Sequence, residues 1–123
     1  MNILSLEEFK DRDPLALSFG QSRRVAMGSA LASGARVVMM DEPTSGQDFY
    51  HREMLGREIS RLKEAGYSFV VVTHDSRYVY IHADRAMILS GGRKVLEGLP
   101  EEVFSSSEQY GIPPPTDYLL REE

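Results

Sequence analysis

Residues 36–43 read RVVMMDEP, in which four apolar residues are followed by two carboxylates and a proline. A short apolar run bounded by polar residues is typical of a strand that is buried on both faces of a parallel sheet. The same pattern in SFVVVTHD, residues 68–75, predicts a second buried strand. Because ligands collect at the carboxyl ends of the strands in such sheets, the residues that follow the two runs are candidate functional residues, namely Asp41, Glu42 and His74.

Helical patterns flank both strands. A first long helix is predicted from about Phe19 to Ser33, with Gly34 as its C-terminal stop. Between the strands, Asp48 is predicted to cap a helix whose apolar residues recur at helical spacing, namely Leu55, Ile59 and Leu62. Strand, helix and strand in this order predict an α/β fold with a mainly parallel sheet flanked by helices.

Shorter elements follow in the rest of the chain. The stretch SRYVYIHA predicts a short helix capped by Asp75, and RAMILS and KVLEG predict two strands joined by a tight turn at Gly91 and Gly92. PEEVFSS predicts a last short helix with Pro100 in its first turn. The tail GIPPPTDYLLREE contains three successive prolines, which predict an extended segment before a last helical turn, appended to the core.

Composition excludes several classes of protein. A chain of 123 residues, 41% of them hydrophobic and 27% charged, is typical of a single globular unit. We expect a cytosolic protein, because no apolar run reaches the ~20 residues that span a bilayer and the N-terminus has no signal pattern. Without cysteine there is no disulfide framework, thiolate nucleophile or zinc–thiolate site. The net charge of −5 argues against a nucleic-acid partner.

The start of the first predicted helix has two interpretations. Ser18, followed three residues later by Gln21, satisfies the capping-box pattern, in which each side chain binds the backbone N–H of the other residue. The unpaired N–H groups of a first helical turn also attract anions. Gly20 costs about 1 kcal/mol relative to Ala in a helix interior, but it leaves the backbone open to a ligand. This segment alone favours a cap over an anion site.

Asp41 and Glu42 also have a structural and a functional interpretation. An isolated pair of carboxylates caps a turn or forms surface hydrogen bonds. Because side chains alternate along an extended chain, however, the two carboxylates point in different directions and can serve different partners. Phosphoryl transfer uses a strand-end Asp that holds Mg²⁺ and a second group that activates water. Asp41 suits the first role and Glu42 the second.

The three histidines differ in their sequence context. His74 follows a buried strand, where an imidazole can contact a terminal phosphate, although a lone histidine is more often a structural group. His51 and His82 do not follow a buried strand. We therefore interpret these two as structural, and Asp48 and Asp75 as helix caps when taken alone.

Four motifs occur in one order between residues 14 and 104: LSFGQ, VVMMDEP, SGQD and THD. With these motifs the chain resembles the C-terminal part of the nucleotide-binding subunit of an ABC transporter. LSFGQ is similar to the ABC signature, VVMMDEP to the Walker B strand with its adjacent glutamate, SGQD to the D-loop and THD to the switch-histidine motif. Phe19 replaces the usual first glycine of the signature, and Gln47 replaces a leucine of the D-loop. The resemblance implies a partial P-loop NTPase fold of the ABC ATPase type.

The resemblance also implies roles for individual residues. Asp41 orders Mg²⁺, Glu42 is the general base for the attacking water, and His74 contacts the γ-phosphate. Asp48 helps to couple the two halves of a dimer. The γ-phosphate of ATP seated in the opposite subunit is bound by the signature residues Ser18, Gly20 and Gln21. ATP and Mg²⁺ are thus the implied cofactors, with ATP hydrolysis coupled to membrane transport.

The chain lacks a phosphate-binding loop, because none of its ten glycines is followed by lysine, as the pattern G-x-x-x-x-G-K-[ST] requires. We therefore expect the chain to be inactive alone and to need a Walker A half, supplied by a missing N-terminal part or by a separate chain. The family places its Walker A strand between the strand that leads to His74 and the strand RAMILS. Loss of that strand exposes two strand edges, which predicts direct pairing of these two strands or self-association.

The expected organisation is a nucleotide-binding domain part at residues 1–104 and a Pro-rich tail at 105–123. The first part divides into a remnant of the helical subdomain, 1–33, and a part of the α/β core, 34–104. A transmembrane transporter subunit and a second ATPase subunit are the expected partners, at the cytoplasmic face of the cell membrane. The stretches DPLALSFGQSRRVA and ADRAMILSGGRKVLEGLPEEVF are similar to the energy-coupling-factor, cobalt-type branch.

Two other functions are open on the sequence alone. One is the C-terminal half of an ABC ATPase of the DNA-repair or chromosome type, in which separate N- and C-terminal halves assemble one site. The other is a non-catalytic module that supplies its signature motif to the ATP of a partner. The presence of Glu42 and His74 favours an intact catalytic set over the second alternative.

Overall fold

A computed structural model describes the backbone of residues 19–121 and the side chains of residues 25–121. The chain divides into two compact units, with the boundary between Thr73 and His74. The first unit contains a two-stranded parallel sheet and the second a two-stranded antiparallel sheet, each accompanied by helices. The predicted α/β fold class is thereby confirmed. Within residues 19–121 no helix combines the length and the hydrophobicity needed to cross a bilayer.

The first unit is a strand–helix–strand crossover preceded by a helix. Its elements are α1 (Phe19–Ala32), β1 (Val37–Asp41), α2 (Phe49–Glu64) and β2 (Ser68–Val72). The two strands pair in parallel, with Asp41 opposite Val72 at the last position of both strands. Residues that follow β1 and β2 therefore emerge at the same edge of this sheet.

The predicted ends of the two long helices are confirmed. Gly34 adopts a φ of 90° after α1, and its N–H bonds to the carbonyl of Leu31 at 3.1 Å. Asp48 caps α2, because its carboxylate accepts a hydrogen bond from the backbone N–H of His51. Leu55 and Leu62, which recur at helical spacing, are 1% and 0% exposed and form the centre of the first core.

The strands of the first unit are covered on one face only, so the prediction of strands buried on both faces is wrong. Val38 and Met40 of β1 are buried, whereas Val37 and Met39 between them are exposed. In β2, exposed and half-buried residues alternate in the same way. A strand is buried on both faces only if other elements pack on both faces of its sheet. Among the described residues, such elements cover only one face of this sheet.

The second unit contains the shorter elements. They are α3 (Ser76–His82), β3 (Ala86–Ser90), β4 (Arg93–Gly98), α4 (Pro100–Phe104), a 3-10 helix (Ser107–Tyr110) and α5 (Thr116–Leu119). The predicted tight turn is confirmed: β3 and β4 pair as a hairpin in which Gly91 and Gly92 have φ of 58° and 75°. Two successive positive φ angles are what a two-residue type I′ turn requires, and glycine adopts them without steric cost.

The C-terminal segment packs into the second unit, whereas the sequence predicted a segment appended to the core. Its extended stretch at the prolines leads into α5, and Tyr118 of α5 is only 7% exposed. The ring of Tyr118 contacts the rings of Tyr80 in α3 and Phe104 in α4. Burial of a large aromatic side chain provides the hydrophobic stabilisation that composition alone did not reveal.

The predicted direct pairing of β2 with β3 is wrong. Within residues 19–121, β1 is the strand bonded to β2, and β4 is the strand bonded to β3. β3 obtains its partner through a two-residue turn, which costs little loop-closure entropy compared with a distant strand. The alternative half of that prediction, self-association through the remaining strand edges, stays a prediction.

Candidate functional site

The two carboxylates stand at the carboxyl end of β1. Asp41 is the last residue of the strand and is exposed on the same face as Met39, in keeping with the period of two along a strand. Glu42 follows it and is half-buried. The predicted divergence of the two side chains is thus reflected in their different exposure, so one carboxylate faces solvent while the other contacts protein.

The backbone of Glu42 is held in an uncommon conformation. Its φ is 48°, the only positive φ of a non-glycine residue within the described part of the chain. Its N–H donates a 2.7 Å hydrogen bond to the carbonyl of Val72, which extends the pairing of β1 with β2 by one residue. A non-glycine residue at positive φ costs about 1–3 kcal/mol, and such strain clusters at functional sites.

Thr73 orients the side chain of Glu42. Its hydroxyl donates a hydrogen bond of 3.3 Å to Oε2 of Glu42, and the pair is partly buried. This connects the first residue after β2 with the first residue after β1. Thr73 was not among the residues predicted from the sequence. The available signal was the position of Thr73 directly after the second apolar run, next to His74.

His74 begins the second unit and is exposed. The next residue, Asp75, caps α3 as predicted, since its carboxylate accepts a 3.0 Å hydrogen bond from the backbone N–H of Tyr78. The loop that carries His74 is therefore bounded by Thr73 on one side and by a capped helix on the other. The ring of His82 lies 4.7 Å from the ring of Tyr78, consistent with its structural interpretation.

Asp48 lies at the start of α2, where it is the N-cap residue. Its Oδ1 accepts from the backbone N–H of His51 at 2.9 Å and lies 2.8 Å from Nδ1 of the His51 ring. The backbone hydrogen bond, followed by the side-chain hydrogen bond, lowers the pKa of Asp48 from its ordinary value of 3.8. Asp48 thus acts as an ionised helix cap, and its coupling role remains a hypothesis.

The signature residues are described only in part. Ser18 lies outside the described residues, and Gly20 and Gln21 occupy the first turn of α1 without described side chains. That this helix end serves both as a capping box and as a phosphate site, as the resemblance implies, therefore stays a prediction.

The described residues at this edge offer few ligands to a metal ion. Residues 25–121 contain no group of three or more His, Cys, Asp or Glu side chains able to hold a metal ion. Mg²⁺ is commonly bound by one or two carboxylates together with the phosphates of the substrate. The exposed carboxylate of Asp41 is a hard oxygen donor of this kind, so the residues present fit a Mg²⁺ ion that arrives with a nucleotide.

Comparison with curated proteins reveals homologues of the whole chain. Over 120 residues, 98% of this chain, it is 54% identical to a protein of Saccharolobus solfataricus provisionally named an ABC transporter ATP-binding protein. The chain spans 23% of the length of that relative. No family model matches the chain.

Solved structures show the same fold. An ATP-binding cassette of an ABC transporter superposes on 90% of this chain with a TM-score of 0.80 and 26% identity, and the match covers 46% of that structure. CbiO1 from Clostridium perfringens, part of the transporter complex CbiONQ, matches 99% of this chain with a TM-score of 0.76 and 30% identity. The match covers 50% of the CbiO1 chain.

Proposed function

We propose that this chain, which has the α/β fold of about half of an ABC ATPase domain, forms part of the ATP-hydrolysing subunit of an ABC transporter. One observation carries the proposal. Asp41 ends β1 and Glu42 follows it, the parallel neighbour β2 leads directly into Thr73, and the Thr73 hydroxyl bonds Glu42 at that edge. Phosphoryl transfer needs carboxylates at such an edge, with the groups that orient water held in place.

In this proposal Glu42 is the general base. Its carboxylate accepts a proton from the attacking water, whose oxygen bonds to the γ-phosphorus while the bond to the ADP oxygen breaks. Thr73 limits the rotation of that carboxylate through the bond to Oε2. Asp41 holds Mg²⁺, and His74 contacts the γ-phosphate. Mg·ATP, when bound, supplies the reacting phosphoryl group and the metal charge that stabilises it.

The proposal assigns two further roles outside this edge. Asp48 couples the two halves of a dimer, and its location at the start of α2, on the surface, is compatible with such a contact. Ser18, Gly20 and Gln21 bind the γ-phosphate of ATP held by the opposite subunit. The unpaired N–H groups at the start of α1 are the physical basis for this second role.

The exposed sheet face of the first unit supports the proposal that a Walker A half binds this chain. Its apolar residues expose between 47 and 74% of their surface and belong to both strands: Val37, Met39, Val70 and Val72. In β3 of the second unit, Met87 and Leu89 are likewise more than half exposed. Burial of apolar area is favourable at about 25 cal/mol per Å², so these faces favour a covering partner. We propose that the half carrying the phosphate loop is that partner.

The transporter context is a separate part of the proposal. We place the subunit at the cytoplasmic face of the membrane, docked on a transmembrane subunit, and within the energy-coupling-factor, cobalt-type branch. Sequence similarity to named ABC transporter ATP-binding proteins supports the transporter class. The likeness to CbiO1, a part of the CbiONQ complex, supports the branch.

Calorimetric titration with Mg·ATP tests the proposed division of the active site. The 123-residue chain alone is expected to show no tight binding, and addition of a Walker A half is expected to restore it. Tight stoichiometric binding by the chain alone would contradict the proposal. We call the chain with an added Walker A half the complemented subunit. In it, Glu42→Gln is expected to abolish ATP hydrolysis while nucleotide binding persists. Unchanged hydrolysis would exclude Glu42 as the general base.

A further inference from the structure

The C-terminal segment, residues 105–121, is anchored in the second unit at several points. Ser107 and Tyr118 are 0% and 7% exposed, and Pro115 is buried. At its end, Nε of Arg121 lies 2.9 Å from Oε1 of Glu101 in α4. These contacts give the C-terminal segment, including the stretch at the prolines between its two short helices, a defined position.

α3 is held by this segment and by α4 through aromatic contacts. The ring of Tyr80 in α3 lies 5.8 Å from the ring of Tyr118, with an interplanar angle of 88°. The same ring lies 6.2 Å from the ring of Phe104 in α4. Edge-to-face pairs of this kind are attractive and orientation-dependent, so they restrict both the position and the rotation of α3.

A charged contact fixes the first turn of α3. Nε of Arg77, the second residue of α3, donates to Oδ1 of Asp117 in α5 at 3.2 Å. The adjacent cap, Asp75, accepts from the N–H of Tyr78. His74 directly precedes that cap. The first turn of α3 is therefore connected to the C-terminal segment on one side and to the His74 loop on the other.

We propose that the C-terminal segment positions His74 by anchoring α3, with Asp117 and Tyr118 as the positioning residues. The inference rests on the proposed function in that His74 contacts the γ-phosphate. Neither Asp117 nor Tyr118 is assigned any contact with the nucleotide. The aromatic pair attaches the segment to the helix, and the ion pair sets the orientation of the turn that follows His74.

Amide hydrogen exchange and NMR signals of the His74 imidazole in the 123-residue chain test this proposal. Asp117→Asn is expected to accelerate exchange at the amides of Tyr78 and Val79 about two- to fivefold, the range for loss of one partly exposed ion pair. It is also expected to shift the His74 ring signals. Restoring the pair with reversed charges, Arg77→Asp with Asp117→Arg, is expected to reverse both effects.

A matched control separates positioning from general loss of stability. Lys94→Gln removes an exposed ion pair of the second unit, the one to Glu97 within β4, and Lys94 lies outside both α3 and the C-terminal segment. It is expected to leave the α3 amides and the His74 signals unchanged. Equal effects of Asp117→Asn and Lys94→Gln, or no effect of Asp117→Asn, would overturn the proposal.

Hydrolysis in the complemented subunit distinguishes this inference from the proposed function. Asp117→Asn is expected to lower kcat about two- to fivefold with KM for ATP unchanged. If His74→Ala leaves hydrolysis unaltered, the assigned role of His74 fails, whatever the exchange data show. If His74→Ala abolishes hydrolysis but Asp117→Asn changes neither kcat nor the His74 signals, the positioning role alone fails.

Discussion

The hydroxyl of Thr73 donates a 3.3 Å hydrogen bond to Oε2 of Glu42, joining the residues that follow the two parallel strands of the first unit. The backbone of Glu42 is fixed at the same point by the 2.7 Å bond from its N–H to the carbonyl of Val72. Both the main chain and the carboxylate of Glu42 are therefore held by the neighbouring strand. If Glu42 is the general base, as proposed, its carboxylate is oriented before substrate binds.

Removal of the Thr73 hydroxyl is expected to impair catalysis more than binding. Thr73→Val keeps the shape and β-branching of the side chain but loses the donor. Loss of a hydrogen bond worth about 1 kcal/mol to the oriented carboxylate is expected to lower kcat about fivefold in the complemented subunit. Steady-state hydrolysis measured against ATP concentration is expected to show an unchanged KM.

The conservative variant is the control for that prediction. Thr73→Ser retains the hydroxyl and is expected to restore kcat to within about twofold of the natural chain, since a hydroxyl donor again reaches Oε2. A Thr73→Val variant with unchanged kcat, or a Thr73→Ser variant as impaired as Thr73→Val, would show that the hydrogen bond does not position Glu42.

The positive φ of Glu42 predicts an unusual order of stabilities. Glu42→Gly is expected to have a free energy of unfolding about 1 kcal/mol higher than Glu42→Ala, because glycine relieves the steric strain of the left-handed conformation. Urea unfolding of the 123-residue chain measures this difference. Arg57, an exposed residue inside α2, is the control, since Arg57→Gly is expected to be about 1 kcal/mol less stable than Arg57→Ala. The same order at both positions would contradict the strain at Glu42.

The cap of α2 predicts a pH dependence of stability. Hydrogen bonds from His51 lower the pKa of Asp48, so the folded state favours the ionised carboxylate more than the unfolded state does. This stabilisation is complete above the unfolded pKa of about 4 and is lost as the pH falls through the lower folded pKa.

Comparison with Asp48→Asn isolates that effect. Asn caps helices comparably but does not titrate. The stability advantage of the natural chain over Asp48→Asn, measured by urea unfolding, is therefore expected to shrink as the pH falls below about 4. If the difference in free energy of unfolding between the natural chain and Asp48→Asn stays constant from neutral to acid pH, the pKa of Asp48 is not lowered.

A substitution on the exposed sheet face is expected to weaken binding of the Walker A half without destabilising the chain itself. Met39 is 74% exposed, so Met39→Lys is expected to change the free energy of unfolding of the chain by no more than about 0.5 kcal/mol. If a Walker A half covers this face, the same lysine is buried on assembly and is expected to weaken binding of that half about tenfold or more.

Tyr110→Lys, at a partly exposed residue of the second unit, is the matched control and is expected to leave binding of the Walker A half unchanged. Isothermal titration of the chain with the Walker A half measures both variants. Undiminished binding of Met39→Lys would show that the partner does not cover this face of the sheet.

Local sequence information was sufficient for most elements of this fold. The helix caps Asp48 and Asp75 and the hairpin turn at Gly91 and Gly92 were all predicted, because each depends on residues a few positions apart. The position of Asp41 and Glu42 after a strand was predicted for the same reason. An apolar run that stops at carboxylates marks a strand end regardless of the rest of the chain.

Tertiary structure decided the features that depend on distant residues. The apolar run of β1 could not show that Met39 lies on an uncovered face of the sheet. Which faces are covered depends on how all the elements of the fold pack. Nor could the sequence show the docking of Tyr118 on α3, which depends on burial against residues distant in the chain.

The contrast is sharpest at Glu42. The sequence alone determined that a carboxylate follows β1 and that Thr73 and His74 follow β2, since both are local consequences of two apolar runs. Only the parallel register brought Thr73 within hydrogen-bond distance of Glu42, residues separated by an entire helix in the chain. Register is set by cooperative packing of strands and helix, and no local pattern specifies it by itself.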